Sequence, residues 1–164
     1  MKLMVKKESW PRFCVKAGIA LAIIWAAGAA FADRYRIGID EQVVKCIPGY
    51  SIYLIDKKDQ ELVKDGVYVF SARGLQPLYD DGTEMVKYLR GVPGDHVEIR
   101  SHGNIYINNE FKGHGLVHAE KLNKPMEAFV GEATLKPGNY WFMGTSSQSF
   151  DSRYWGTVKH DQII

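Results

Sequence analysis

The amino-acid sequence predicts a mostly β protein that is preceded by one N-terminal hydrophobic helix. Residues 17–32 form an uncharged apolar run, whereas the apolar residues after position 33 come in short runs separated by Gly, Pro, Asn and Asp. A chain of 164 residues suits one domain with an appendage. Because 46% of the residues are hydrophobic and 24% are charged, the composition excludes a disordered or low-complexity chain.

The N-terminal apolar run is typical of a segment that inserts into a membrane. Its sixteen residues would span about 24 Å as a helix, somewhat less than the roughly 30 Å hydrocarbon core, and residues 13–15 extend it. We predict that residues 17–32 are a signal anchor or a cleaved signal peptide, since Ala30-Phe31-Ala32 has the small-x-small spacing of a cleavage site. A buried core helix is the third interpretation.

The distribution of charge predicts the orientation of the chain in a membrane and argues against nucleic acid as a partner. Residues 1–16 carry a net charge of +4, so they are expected in the cytoplasm, and residues 33–164 are expected to form an exported domain. The rest of the chain has a net charge of −2, which gives no basic footprint for nucleic acid. Because the membrane would separate Cys14 from Cys46, the second cysteine is predicted to be a free thiol.

The exported domain is predicted to consist of strands and turns. Residues 96–108 read as a hairpin around the turn Ser101-His102-Gly103-Asn104, and residues 57–66 read as a charged loop. The predicted strands are Gln42–Lys45, Ser51–Asp56, Val67–Ala72, Glu84–Gly91, His96–Arg100, Ile105–Asn108 and Tyr140–Gly144.

Lys87 is the first candidate for a chemical role. The period of two in a strand places it on the same face as Met85 and Leu89, which is an apolar environment for an amine. Burial disfavours the charged form of an amine and leaves a neutral nitrogen that can act as a base. The alternative is a lysine on an edge strand with its amine in water.

Two further stretches have the composition of a site. Cys46 precedes a Pro-Gly turn, a position that presents a side chain, although a single cysteine is often only a small buried apolar residue. In Phe150-Asp151-Ser152-Arg153-Tyr154-Trp155-Gly156, Asp151 and Arg153 can pair across one residue and brace a loop.

Taken together, these stretches resemble the type I signal peptidases. Residues 87–95, KYLRGVPGD, are similar to the lysine box of that family, and residues 151–156, DSRYWG, are similar to its C-terminal box. Cys46-Ile47-Pro48 falls where the family has its catalytic serine. The small size and the sequence SFDSRYWG resemble the conjugative-transfer branch, the TraF-type peptidases that mature pilin subunits.

The resemblance implies roles for five residues. Cys46 would be the nucleophile and Lys87 its general base, and Asp151 would contribute directly to the site. Ser149 would orient the lysine amine, and Arg153 would hold the site together with Asp151. The backbone N–H of Cys46 would give one donor to the oxyanion hole, whereas Val44 stands where many members of the family supply a second donor from a hydroxyl.

The resemblance also implies the fold, the reaction and the location. The fold would be the signal-peptidase-like, or LexA-like, arrangement of coiled antiparallel sheets. The protein would process an exported precursor, such as a conjugative pilin, through an acyl-enzyme on the periplasmic side of the inner membrane. Two alternatives remain open, a non-catalytic component of a conjugation apparatus and a housekeeping signal peptidase I.

No cofactor or metal is predicted. His114 and His118 have the i, i+4 spacing that places two imidazoles on one helix face, with Glu120 nearby. Gly113 and Gly115 argue against a helix at this position, so the spacing does not favour a zinc site.

Overall fold

The N-terminal helix α1 comprises Trp10–Arg34 in the computed structural model, which describes residues 9–59 and 61–164. Pro11 stands in its first turn, where a missing N–H costs no hydrogen bond. The helix has 25 residues and contains an 18-residue window with a mean hydropathy of 1.9, so it is long and apolar enough to cross a membrane, a test that a signal sequence also passes. The helix includes the predicted segment 17–32, and residues 1–8 of the predicted basic segment 1–16 lie outside the described residues.

The chain forms two compact units. The first unit is Met1–Arg36 with Asp56–Lys58 and contains α1, and the second is Ile37–Ile55 with Asp59–Ile164. The described strands are β1 (Tyr35–Ile39), β2 (Ile52–Asp56), β3 (Val67–Ser71), β4 (Glu84–Gly91), β5 (His96–Ile99), β6 (Asn104–Ile107), β7 (Glu110–His114), β8 (Gly131–Thr134), β9 (Asn139–Met143) and β10 (Val158–Lys159). A four-residue helix, α2 (Ser152–Trp155), lies between β9 and β10.

The strands form three antiparallel sheets or ribbons. Strands β1 and β2 form a two-stranded sheet, and two four-stranded sheets have the orders β10-β9-β4-β3 and β7-β6-β5-β8. The prediction of a mostly β fold with antiparallel sheets and one N-terminal apolar helix is therefore confirmed.

Most of the individual strand predictions are also confirmed. The predicted hairpin is the pair β5 and β6, in which Val97 lies opposite Ile107, and the turn between them holds His102 at φ 72°. The predicted strand Gln42–Lys45 is wrong, because this segment belongs to an irregular loop between β1 and β2. Strands β1, β7, β8 and β10 were not predicted.

Strand β9 separates the two apolar clusters of the second unit. Trp141 and Met143 pack into one cluster, whereas Phe142, between them, packs into the other, as the alternation of a strand requires. The first cluster is completed by Val97, Ile99, Ile105, Ile107, Leu116 and Leu135, and the second by Phe70, Ala72, Met85, Leu89 and Val158. Strand β4 contributes its buried face to the second cluster and is fixed between β3 and β9.

Candidate active site

Cys46 lies on the irregular loop between β1 and β2. Cys46 is 8% exposed to solvent. Its backbone carbonyl accepts hydrogen bonds from the Thr145 N–H at 3.0 Å and from the Thr145 hydroxyl at 3.4 Å. Thr145 directly follows Gly144 at the end of β9. The loop that carries the thiol is therefore attached, through its own backbone, to the segment that follows β9.

Lys87 lies in the middle of β4, which is an inner strand. The residue is 5% exposed, and the alternating burial along β4 places it with Met85 and Leu89, as predicted. Its amine Nζ lies 2.7 Å from Cys46 Sγ, and within the described part of the chain it forms no ion pair with a carboxylate. The alternative of an edge lysine with its amine in water is therefore wrong.

Gln42 is a third residue at the sulfur, and the sequence did not single it out. The Cys46 thiol donates to Gln42 Oε1 at 3.6 Å, a distance that suits a hydrogen bond from sulfur. The backbone N–H of Gln42 donates to Asp40 Oδ1 at 3.0 Å, which anchors the residue in the loop. The incorrect strand prediction hid this contact, because a strand would have separated the side chains at positions 42 and 46.

The predicted pair of Asp151 and Arg153 forms a buried cluster at the start of α2. Arg153 Nε donates to Asp151 Oδ1 and Arg153 Nη2 donates to Asp151 Oδ2, both at 2.7 Å, which is bidentate geometry. The guanidinium also donates to the carbonyls of His114, Gly115, Ser146 and Ser149 at 2.9 to 3.3 Å. Burial alone lowers the pKa of Arg153, but the hydrogen bonds and charge of Asp151 raise it overall, so the side chain stays cationic.

Among the described residues, Asp151 and Ser149 form no hydrogen bond with the side chains of Cys46 and Lys87. Apart from Arg153, the carboxylate of Asp151 accepts from the Gly144 N–H at 2.9 Å. The Ser149 hydroxyl is fully buried and has no hydrogen-bond partner among the described residues. No hydrogen bond in the described structure therefore supports the direct role predicted for Asp151 or the orienting role predicted for Ser149.

Gly144 connects this cluster with the cysteine loop. A Cβ atom at position 144 would lie 2.5 Å from Ser149 Oγ and 2.9 Å from the Cys46 carbonyl oxygen. These distances are well inside ordinary contact, so only glycine fits without a shift of the backbone or of Ser149. The close approach brings the loop before β2 next to the loop after β9.

Cys46, Lys87 and Gln42 line one cleft of about 810 Å³. Apolar side chains from β4 and from the neighbouring loops form part of its wall, and Val44, which is half exposed, also lines it. The other lining residues are Ile39, Asp40, Glu41, Leu78, Tyr79, Thr83, Glu84, Met85, Val86, His118, Lys121, Leu122, Gln148 and Phe150. A cleft of this size can hold several residues of an extended peptide.

The two histidines of the rejected zinc hypothesis have other environments. His114 ends strand β7, and His118 Nε2 hydrogen-bonds the Gln148 carbonyl at 2.7 Å. In the part of the chain that the structure describes, no three metal-ligating side chains come together.

One of the comparisons with known proteins shows the family of this chain. Residues 12–164 match the family model described as signal peptidase, peptidase S26. Among solved structures, a signal peptidase I from Enterococcus faecalis V583 is 25% identical, with 63% of this chain and 93% of that chain covered and a TM-score of 0.39. The search of the curated proteins gives no match.

Proposed function

We propose that this chain, which belongs to the signal peptidase S26 family, cleaves an exported precursor with a Cys46–Lys87 dyad. Membership of the family makes it a signal peptidase-type peptidase that acts on precursor proteins. The observation that carries the dyad is the 2.7 Å separation of Lys87 Nζ and Cys46 Sγ inside the cleft. A nucleophile and a base within hydrogen-bond reach are the minimum requirement for covalent catalysis of this kind.

The reaction follows from these two groups. The Lys87 amine takes the thiol proton of Cys46, and Sγ attacks the scissile carbonyl carbon to give a tetrahedral oxyanion. When the oxyanion collapses, the C–N bond breaks and the lysine ammonium returns the proton to the leaving amine. In the second half of the reaction, the Lys87 amine takes a proton from water, and the resulting hydroxide attacks the thioester carbonyl. The C–S bond then breaks, the new C-terminus is released, and Lys87 returns the proton to the Cys46 sulfur.

The surroundings of Lys87 support its role as the base. Its amine has no carboxylate partner among the described residues and lies 2.7 Å from the sulfur, so no ion pair with a carboxylate has to break before it takes the thiol proton. A thiol also releases its proton far more readily than the hydroxyl that the family uses. The site can therefore work although Cys replaces Ser.

Asp151, Ser149 and Arg153 have a positioning role in this proposal. The cluster fixes the Gly144 N–H, and the next residue, Thr145, holds the Cys46 carbonyl. Its contribution is to keep the nucleophile in place while leaving the amine and the thiol free to react.

We also propose that the protein is anchored in the inner membrane with its catalytic domain on the periplasmic side. The apolar helix α1 and the basic residues before it support this topology. Large apolar side chains are exposed on the cysteine loop and on the strands beside it, which suits a site that works near a lipid surface. These side chains are Ile39, Val43, Val44, Tyr50, Ile52 and Leu54.

A conjugative pilin is the precursor that we propose, because the boxes and the small size resemble the TraF-type branch. The test uses the purified full chain in detergent micelles with a pilin precursor. Wild type and the control Cys14→Ala, which removes the exposed cysteine of α1, are expected to cleave. Cys46→Ala is expected to be inactive. Cleavage by Cys46→Ala would show that Cys46 is not the nucleophile, and absence of cleavage by wild type would support the non-catalytic component. Cleavage of housekeeping precursors but not of pilin would support a signal peptidase I.

The same assay separates the two fates of the thioester. Attack by water gives a linear product, whereas attack by the N-terminal amine of the substrate closes a ring that is about 18 Da lighter, by the loss of one water. Cys46→Ser is expected to be at most weakly active, because the serine hydroxyl requires a stronger base than the thiol does. A serine variant as fast as wild type would contradict this adaptation to sulfur.

A further inference from the structure

We propose that the side-chain amide of Gln42 is a catalytic residue that donates a hydrogen bond to the oxyanion during cleavage. This inference rests on the proposed function and assigns a donor that the sequence alone did not supply. Removal of one such donor in other peptidases lowers kcat about 100- to 1000-fold, so a cleft with a single donor would stabilise the oxyanion poorly.

The structure narrows the candidates for this second donor. Val44 offers no hydroxyl, and its side chain is half exposed. Thr145, the other polar residue against Cys46, directs both its N–H and its hydroxyl to the Cys46 carbonyl. Among the described residues, Gln42 is the one uncharged donor-bearing side chain that contacts the reacting sulfur.

The position of Gln42 is suitable for the oxyanion. Its amide group lies 3.6 Å from Sγ in the same cleft, and the oxyanion would form two bonds away from that sulfur. The bond from its backbone N–H to Asp40 fixes the start of the side chain. The amide can therefore reach the oxyanion by rotation about its own side-chain bonds.

Proton transfer itself would turn the amide into a donor. Before reaction, the thiol donates to the carbonyl end of the Gln42 amide. Once Lys87 has taken the proton, the sulfur has no hydrogen to donate, and negative charge on sulfur and then on oxygen attracts the NH₂ end instead. The two ends of an amide group have almost the same shape, so a half-turn exchanges them without a change in packing.

The first pair of variants is Gln42→Ala and Gln42→Glu. Glutamate keeps an oxygen that can accept from the thiol, but it has no N–H donor and adds a negative charge beside the oxyanion. Because that charge also lies close to the Lys87 amine, a slower Gln42→Glu supports the donor only if Gln42→Ala is slowed as well while the alkylation of Cys46 in Gln42→Ala is not. If Gln42 is the donor, Gln42→Glu should lose at least as much kcat as Gln42→Ala, which we expect to fall about 100-fold with little change in KM.

Three further measurements make the test specific. The control Gln76→Ala removes the same side chain from an exposed loop outside the cleft and should keep full activity. The second-site change Val44→Ser should restore part of the activity of Gln42→Ala by supplying a hydroxyl. Alkylation of Cys46 by iodoacetamide forms no oxyanion, so its rate should stay within about twofold in Gln42→Ala.

A peptide aldehyde tests the same donor without turnover, because its thiohemiacetal with Cys46 carries the oxygen of the tetrahedral intermediate. Its affinity should fall about 100-fold in Gln42→Ala and not in Gln76→Ala. Full activity and full aldehyde affinity in Gln42→Ala and Gln42→Glu would overturn the role of Gln42 and leave the peptidase proposal intact. If wild type neither cleaves a precursor nor binds the aldehyde, the two proposals fail together.

Discussion

Lys87 and Arg153 are both basic side chains buried in the second unit, yet their surroundings differ in almost every respect. The guanidinium of Arg153 is satisfied by the Asp151 carboxylate and by four backbone carbonyls. The amine of Lys87 has one polar contact in the described structure, the Cys46 sulfur. Arg153 is fixed by its partners, whereas Lys87, in the proposed mechanism, is free to take a proton from the thiol.

The difference teaches how this chain separates stability from chemistry. A buried charge that has lost its partner costs several kcal/mol, so the Arg153 cluster can brace the loops around the site as long as it stays complete. A reactive base requires the opposite condition, since strong partners would fix its proton. Gly144 lies between the two regions, and its N–H belongs to the Asp151 cluster while its Cα faces the Cys46 carbonyl.

Lys87→Met gives the largest expected effect. Methionine keeps the aliphatic length against Met85 and Leu89 but removes the base, so precursor cleavage should fall about 1000-fold or more. The stability should change by less than about 1 kcal/mol, because an apolar side chain suits this environment. Initial cleavage rates and urea unfolding monitored by tryptophan fluorescence check both values.

The matched control is Lys136→Met, on an exposed lysine between β8 and β9, which should leave both quantities unchanged. If Lys87→Met lowered stability by several kcal/mol, Lys87 would be a structural cation like Arg153 and the contrast would fail.

Arg153→Met should have the opposite profile. It leaves the buried Asp151 carboxylate without its partner, which costs about 3 to 5 kcal/mol of the free energy of unfolding. Activity at low temperature, where the variant is still folded, should fall much less than in Lys87→Met. Thermal unfolding followed by circular dichroism gives the stability difference.

Arg73→Met is the surface counterpart, because Arg73 pairs with Asp161 at 3.0 Å while more than half of each side chain is exposed. A pair of this kind contributes less than about 1 kcal/mol. Equal losses of stability in the two arginine variants would show that the buried cluster has no special role.

The sequence placed Lys87 on the buried face of β4, because side chains alternate along a strand and Lys87 shares its face with Met85 and Leu89. It failed for Gln42, whose contact with Cys46 depends on an irregular loop without any periodic signal. Strand β8 was missed because all four of its residues are exposed, so that no apolar alternation marks it. Strand β7 has the polar sequence EFKGH and gives a similarly weak signal.

The cluster at α2 shows a different limit. The spacing of Asp151 and Arg153 predicted their pairing, but two of the carbonyls that Arg153 contacts, those of His114 and Gly115, lie 39 and 38 residues away in the sequence. Pairing between neighbours is a local property, whereas the separation of Asp151 from the dyad depends on how the loops pack. The direct role of Asp151 therefore could not be judged from spacing alone.

Gly144→Ala tests whether the two regions are coupled. The added methyl group would meet Ser149 Oγ at 2.5 Å and the Cys46 carbonyl oxygen at 2.9 Å, so either the serine or the nucleophile loop must move. We expect a loss of about 1 to 3 kcal/mol in stability and a fall in kcat at temperatures where the protein stays folded. The control Gly28→Ala adds a methyl group where no atom lies within 4 Å and should change neither value.

A drop in stability without a drop in kcat would show that the Arg153 cluster can shift while the dyad keeps its geometry. That result would separate the two regions and remove the positioning role proposed for the cluster.

The smallest expected effect concerns a third buried charge, Asp95, at the turn between β4 and β5. Burial alone raises the pKa of Asp95, but the hydrogen bonds from the Val92 N–H, Lys64 and Asn108 lower it overall. A carboxyl whose pKa is lower in the folded chain stabilises the fold above its unfolded pKa of about 3.9. This contribution is lost as the pH falls through the folded pKa.

Asp95→Asn should therefore modestly reduce the free energy of unfolding at pH 7. Below about pH 4, the free energy of unfolding should fall less steeply with decreasing pH in Asp95→Asn than in wild type. Unfolding by urea at a series of pH values measures the difference, and Glu127→Gln, on an exposed residue, is the control that should keep the wild-type slope. Because Asp95 forms no hydrogen bond with Cys46 or Lys87 among the described residues, the cleavage rate of Asp95→Asn at pH 7 should match that of wild type. An unchanged pH slope would mean that the partners of Asp95, unlike those of Arg153, give it no net stabilisation in the folded state.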